Sequence, residues 1–375
     1  MTTPGSPLHA LADAGVAVWL DDLSREMVRG GRLSALVDRG VVGVTTNPSI
    51  FAAALAHGGA YDAQLRDLAA EAAAPEEAAL RLTTDDVRDA CDVLRPVYDR
   101  TGTVDGRVSI EVDPRLAHDG AGTLDAARSL WSTIERPNLF VKIPATLEAL
   151  PAITTALAEG ISVNVTLIFA LDRYRAVLDA FAAGLEGAHA AGLDLAPIGS
   201  VASFFVSRVD TAVDPLLDAL GTGEAAVLRG RAAIANARLA YGEYQTFAAG
   251  ERWQALAAAG ARPQRPLWAS TGVKDPRYAD TRYVDDLVAP GVVNTMPAAT
   301  LEAVADHGVV HPDAITAGLA DAARVVATLD SLGVSLGEVT TRLESEGVAK
   351  FIDAWEQLLA TVQAGLDAAA TQAQP

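Results

Sequence analysis

The sequence predicts an α/β protein built as a closed (β/α)8 (TIM) barrel with additional helices. Eight short β-rich runs recur along the 375 residues, each bounded by Gly, Pro or Asp. Segments of helical spacing, such as 123–134 and 173–190, separate them, which is the alternation of a repeated β/α unit. No G-x-G-x-x-G or P-loop pattern is present, which argues against the competing doubly wound open sheet.

The strands are read at 16–21 (VAVWLD), 41–47 (VVGVTTN), 107–113 (RVSIEVD), 139–144 (LFVKIP), 161–167 (ISVNVTL), 197–205 (PIGSVASFF), 265–271 (RPLWAST) and 291–296 (GVVNTM). Side chains alternate faces along a strand, so each run sorts its own residues. Val18 and Leu20 oppose Trp19 and Asp21, and Val42 and Val44 oppose Gly43, Thr45 and Asn47. Val108, Ile110 and Val112 oppose Ser109, Glu111 and Asp113, while Leu139, Val141 and Ile143 oppose Phe140, Lys142 and Pro144. In the fifth run Val163, Val165 and Leu167 oppose Ser162, Asn164 and Thr166. The apolar set of a barrel strand faces the helix layer, so the polar set points inward. Asp21, Asn47, Glu111, Lys142, Asn164, Thr166 and Ser203 therefore converge on the C-terminal mouth, where barrel active sites sit. Taken singly, an Asn or Thr there is equally consistent with a cap on the following helix, and Asp22 and Asp113 with loop caps.

A bare barrel takes about 250 residues, so the surplus is assigned to additional helices around 52–106, 209–264 and 298–365 of a single domain, 1–375. No Ser/Gly/Pro linker divides the chain, and 366–375 (LDAAATQAQP) reads as a frayed tail.

Composition excludes several function classes. A net charge of −19 is the opposite of a nucleic-acid footprint, and no apolar run reaches the ~20 residues of a membrane span. One cysteine, Cys91, permits no internal disulfide and reads as a buried apolar residue. Together with an N-terminus lacking a signal-peptide layout, this gives an expected cytoplasmic location. The six histidines show no metal-ligand spacing, so no metal site is expected. Only three lysines occur among the 29 basic residues: Lys142, Lys274 and Lys350.

Lys142 is the informative one, because it lies inside an apolar strand. A lysine amine attacks a carbonyl only when unprotonated, and burial disfavours an ammonium. Glu111 one strand away and Asp21 on the first strand supply carboxyls for proton transfer. An amine and two carboxyls suit C–C bond cleavage through an imine.

The segments VWLDDLSR (18–25), GVTTNPSIF (43–51), VSIEVDPRLAHD (108–119), NLFVKIPAT (138–146), ISVNVTLIF (161–169), SFFVSRVD (203–210) and VNTMP (293–297) resemble the transaldolases over most of the chain. That resemblance implies a Schiff-base barrel moving a dihydroxyacetone unit between sugar phosphates of the pentose phosphate pathway, without metal or organic cofactor. In it, Lys142 matches the Schiff-base lysine, Glu111 and Thr166 the pair that positions a catalytic water, and Asp21 the acid/base at the bond that breaks. Asn47 and Asn164 match contacts to the retained three-carbon fragment, Ser203 and Arg208 match phosphate contacts, and Phe205 matches a pocket-lining aromatic. The match loosens at WASTGVKDPRY (268–278), where Ser270 and either Lys274 or Arg277 are expected at the phosphate. Partners are then sugar phosphates, with neither nucleic acid nor membrane, and the chain is expected as a monomer or homodimer.

Three other readings stand beside this one. A fructose-6-phosphate aldolase would share the lysine and release dihydroxyacetone, although length and Glu111 favour transfer. A metal-dependent barrel aldolase or isomerase would need ligands, and only His118 lies near the mouth. A non-catalytic sugar-phosphate-binding barrel would tolerate replacement of Lys142 by arginine.

Overall fold

The computed structural model describes residues 5–57 and 59–372. Its eight strands hydrogen-bond in chain order, all parallel, into one closed barrel. They are β1 (Val16–Asp21), β2 (Gly43–Thr45), β3 (Arg107–Glu111), β4 (Leu139–Pro144), β5 (Val163–Ile168), β6 (Ser200–Phe205), β7 (Arg265–Ala269) and β8 (Val292–Met296). All eight fall within or within one residue of the runs read from sequence. Most are shorter, because residues at the strand ends bond locally instead of continuing the ladder. Asn47 caps the helix Pro48–Ala56, its side chain accepting from the Ile50 amide. Asp113 likewise accepts from the Arg115 amide at the start of a short 3₁₀ turn, Pro114–Leu116.

β5 departs from regular alternation. Its register against β6 shifts between Val165 and Ile168, and Leu167 takes a left-handed φ of 61°. The bulge breaks the expected Val163–Val165–Leu167 face, and Leu167 packs beside Gly347 of the long C-terminal helix instead.

Inside the barrel, large and small residues must interlock. Trp19 is fully buried, and a Cβ on Gly43, its register partner across β1 and β2, would lie 2.4 Å from the indole. Glycine at 43 is therefore a packing requirement rather than a turn signal. At the N-terminal end of the barrel the Arg107 guanidinium is held between the Tyr98 and Phe140 rings, 4.8 Å from each centroid. It donates to the carbonyls of Thr103, Pro137 and Pro197, and burial lowers its pKa to about 10. Cys91 is wholly buried in the helix Pro75–Arg100, where burial pushes its thiol pKa up.

The surplus chain is helical. After β2 it forms Pro48–Ala56, Asp62–Ala70 and Pro75–Arg100, and after β6 it forms Ser207–Leu220, Gly223–Leu228, Ala232–Ala249 and Glu251–Ala258. After β8 come Ala298–His307, Leu319–Ser331 and a 37-residue helix, Leu336–Gln372. That last helix corrects the frayed-tail expectation for 366–372, where Leu366 and Ala369 are buried and hold the final turns down. The remaining expected tail, 373–375, lies outside the described residues. The C-terminal helix packs on all three helices that follow β2 and on Ser207–Leu220, so it spans the mouth of the barrel. Gly347 lets it approach closely: a Cβ there would lie 3.0 Å from Leu167 Cδ2 and 3.5 Å from the Phe169 ring. No helix among the described residues is long and apolar enough to cross a membrane.

Gly43→Ala is expected to lower unfolding free energy by about 1–3 kcal/mol, the usual cost of overpacking a filled core. Urea denaturation of the purified variant measures it, and wild-type stability would contradict the interlock of Gly43 with Trp19.

Candidate active site

Parallel register brings Glu111, Lys142 and Asn164 side by side, since Glu111 pairs with Lys142 and Lys142 with Asn164. Lys142 Nζ lies 3.6 Å from Glu111 Oε2, and both side chains are nearly fully buried. The amine donates to the Thr46 carbonyl at 3.1 Å, and Thr46 is itself fixed by a hydroxyl bond to the Ser109 carbonyl. Burial pushes the Glu111 carboxyl up to about 7, with Lys142 opposing the rise and the nearby Asp21 charge adding to it. A carboxyl titrating there can give or take a proton near neutral pH. Glu111 Oε2 and Thr166 Oγ1 are buried without a hydrogen-bond partner, on the strands to either side of Lys142. Two unsatisfied oxygens so placed suit a polar ligand or a water.

A second network orients the rest of the mouth. Thr45 Oγ1 donates to Asp21 Oδ1 at 2.7 Å and lies 2.7 Å from Thr295 Oγ1, which fixes the carboxylate from two neighbouring strands. Ser203 Oγ donates to Asn164 Oδ1 at 2.7 Å, and Asn164 Nδ2 donates to Ser109 Oγ at 3.0 Å. The resemblance puts Ser203 among the phosphate contacts, yet its hydroxyl is engaged with Asn164, the register neighbour of Lys142. Asn47 spends Oδ1 on its helix cap and keeps Nδ2 for the cavity it lines. The cap reading and the site reading of Asn47 are thus compatible.

Asp21, Asn47, Lys142, Ser203, Phe205, Arg208, Ser270 and Lys274 line one chamber of ≈ 130 Å³ at the mouth. Glu111, Asn164 and Thr166 stand behind this wall. At the outer end the Arg208 guanidinium packs over the Phe205 ring at 5.1 Å, and burial lowers its pKa. Its Nη1 is buried and has no hydrogen-bond partner, as suits a cation awaiting an anion. Ser207, adjacent to Arg208, meets Ser270 through hydroxyls 3.0 Å apart and through its amide on the Ser270 carbonyl. Ser270 holds a left-handed φ of 56°, a strained backbone often found at ligand sites.

Lys274 and Arg277 differ in their surroundings. Arg277 forks onto Asp275, is largely exposed, and lines only a neighbouring cavity, which Lys274 also borders. Lys274 lines the chamber with Arg208.

Sequence reasoning missed Thr295 and Phe351, which also line the chamber. Alternation along β8 carries the signal for Thr295, since its register partner is the inward-facing Trp19. Phe351 comes from the C-terminal helix, which strand patterns do not address. Among the described residues no group of three or more His, Cys, Asp or Glu is arranged to hold a metal ion.

Residues 18–362 match the family model described as Transaldolase/Fructose-6-phosphate aldolase. The chain is 63% identical to a transaldolase of Thermobifida fusca (strain YX) over 357 residues, covering 95% of this chain and 97% of the relative. It is 60% identical over 366 residues to a transaldolase of Parafrankia sp. (strain EAN1pec), covering 97% and 99% respectively. Identity is again 60%, over 367 residues, with Transaldolase 1 of Streptomyces coelicolor (strain ATCC BAA-471 / A3(2) / M145), covering 98% of this chain and 96% of the relative.

The raised Glu111 pKa has a stability consequence. Glu111 holds its proton more tightly in the folded state, so its contribution is full below about 4.5 and is lost as pH rises through about 7. Glu111→Gln cannot ionise and is expected to flatten the fall in unfolding free energy across that window. Denaturant titrations at about pH 5 and pH 7.5 measure the slope, and an unchanged slope would contradict the assignment.

Proposed function

The chain belongs to the transaldolase/fructose-6-phosphate aldolase family, and from that premise we propose that it transfers a dihydroxyacetone unit from a ketose phosphate to an aldose phosphate through a Schiff base on Lys142. The donor is sedoheptulose 7-phosphate or fructose 6-phosphate, and the acceptor glyceraldehyde 3-phosphate or erythrose 4-phosphate. The observation that carries the reading is the buried Lys142 amine 3.6 Å from a carboxyl titrating near 7, in a chamber whose outer end holds Arg208.

The amine adds to the ketose C2 carbonyl, and loss of water gives an iminium. Glu111 moves protons in both directions through a water held between its Oε2 and Thr166 Oγ1, the two buried oxygens that lack protein partners. Asp21, held by Thr45, takes the C4 hydroxyl proton as the C3–C4 bond breaks. The electron pair of that bond passes into the iminium to give an enamine, and the aldose phosphate leaves as an aldehyde. The acceptor aldehyde then meets the enamine carbon. Its carbonyl oxygen takes the proton back from Asp21, and hydrolysis frees the new ketose phosphate and the amine.

Asn47 Nδ2, Asn164 and Ser203 hold the hydroxyls of the retained fragment, while Phe205 walls the chamber. Arg208, Ser270 and Lys274 take the phosphate, with Lys274 acting as a point charge rather than a fork. The net charge of −19 does not oppose this, because the local potential at the mouth governs binding.

The test is transfer from fructose 6-phosphate to erythrose 4-phosphate. Lys142→Arg, which keeps charge but cannot form the imine, is expected to lower kcat by about a thousandfold or more with folding retained. Activity within a few fold of wild type would overturn the imine reading. Lys274→Gln is expected to raise KM for the phosphorylated acceptor by about tenfold, as loss of one charged contact does. Arg277→Gln is expected to leave it unchanged, and the reverse ranking would move the phosphate to Arg277.

A further inference from the structure

The Lys142 chamber reaches solvent on one side past the exposed Lys274 and on the other through a neighbouring cavity. A second, outer cavity of ≈ 780 Å³ adjoins it, lined by Asp22, Arg32, His57 and Lys350 among others, and is therefore hydrated. Three residues line both cavities: Asn47, Arg208 and Phe351. Asn47 and Arg208 are polar and water can solvate them. Phe351 is the apolar part of the partition, 6% exposed, with its ring centroid 5.5 Å from Lys142 Nζ and 6.0 Å from Arg208 Cζ.

Its position is fixed by the helix that carries it. Gly347, one turn earlier, permits close approach to Leu167 and Phe169. Glu344 on the same helix pairs with Arg173 at 3.1 Å, and Arg173 also donates to the Ala145 carbonyl just past the end of β4. The helix is thus pinned to the strand of the reactive lysine, which presses the Phe351 ring into the mouth.

The enamine on Lys142 has two fates. Attack on an acceptor aldehyde forms the new C–C bond and completes transfer. Alternatively, C3 takes a proton, water adds to C2, and the C–N bond breaks to release dihydroxyacetone and the free amine. The second route is net aldolysis; it needs a proton at C3 and a water at C2 before an acceptor arrives, so it speeds up as more water reaches the fragment while the acceptor site is empty. We propose that Phe351 is the water-excluding residue that biases the bound fragment toward transfer. This rests on the imine reading above and goes further by assigning the choice between transferase and aldolase outcomes to the C-terminal helix.

The test uses fructose 6-phosphate without acceptor, following glyceraldehyde 3-phosphate and dihydroxyacetone separately. A burst of one glyceraldehyde 3-phosphate per chain reports the enamine, and steady dihydroxyacetone release reports its hydrolysis. The release rate is then divided by the transfer rate with erythrose 4-phosphate present. In the series Phe351→Leu, Phe351→Val and Phe351→Ala, this ratio is expected to rise as apolar volume is lost. Leu should stay near wild type and Ala reach about tenfold, the change that ~1.4 kcal/mol of lost discrimination produces. A general loosening of the site would lower burst and transfer together and leave the ratio flat. A flat ratio in a folded Val or Ala variant that keeps its burst overturns the role of Phe351 while the imine reading stands. Absence of the burst in the wild type, with fructose 6-phosphate consumed, overturns the imine reading and this proposal with it.

Discussion

The parallel register that sets Glu111 beside Lys142 and Lys142 beside Asn164 is the constraint on which the mouth depends. A buried amine is tolerable only where polar groups meet it; here the Thr46 carbonyl accepts its hydrogen bond and the Glu111 carboxyl lies 3.6 Å away. The same burial keeps Glu111 from ionising until pH approaches 7. One geometric fact therefore sets both the proposed nucleophile and the proposed proton carrier. Slipping β3 against β4 by one residue would turn one partner outward. The interlock of Trp19 with Gly43 lies below this layer and holds the neighbouring strands β1 and β2 in register.

Much of this was legible in the sequence because a barrel strand has two simple environments. Inward polar residues at strand ends are separable from outward Val, Ile and Leu by alternation alone: Asp21, Lys142 and Ser203 line the chamber, with Glu111, Asn164 and Thr166 behind its wall. The pattern lost its force where the backbone left regular geometry. At Leu167 a left-handed residue and a bulge broke the period. At Asn47 the chain had already left the sheet, and the side chain serves a helix cap and the cavity together.

The contribution of the C-terminal helix was not legible at all. Periodicity can identify a helix, but not which distant surface it covers, so Phe351 carried no signal linking it to Lys142. The tail beyond 365 misled for a related reason. Its Ala-rich, weakly polar composition resembles a fraying end, yet tertiary burial of Leu366 and Ala369 extends the helix to Gln372. The loop after β7 was ambiguous because composition offers two cations there, and only the fork of Arg277 onto Asp275 separates them.

On the proposed mechanism Lys142 bonds covalently to the three-carbon fragment. Borohydride reduction in the presence of fructose 6-phosphate, followed by peptide mass analysis, addresses it without relying on any variant. A reduced three-carbon adduct is expected on the peptide containing Lys142 and on neither Lys274 nor Lys350. An unmodified Lys142 in protein that continues to turn over fructose 6-phosphate would contradict it.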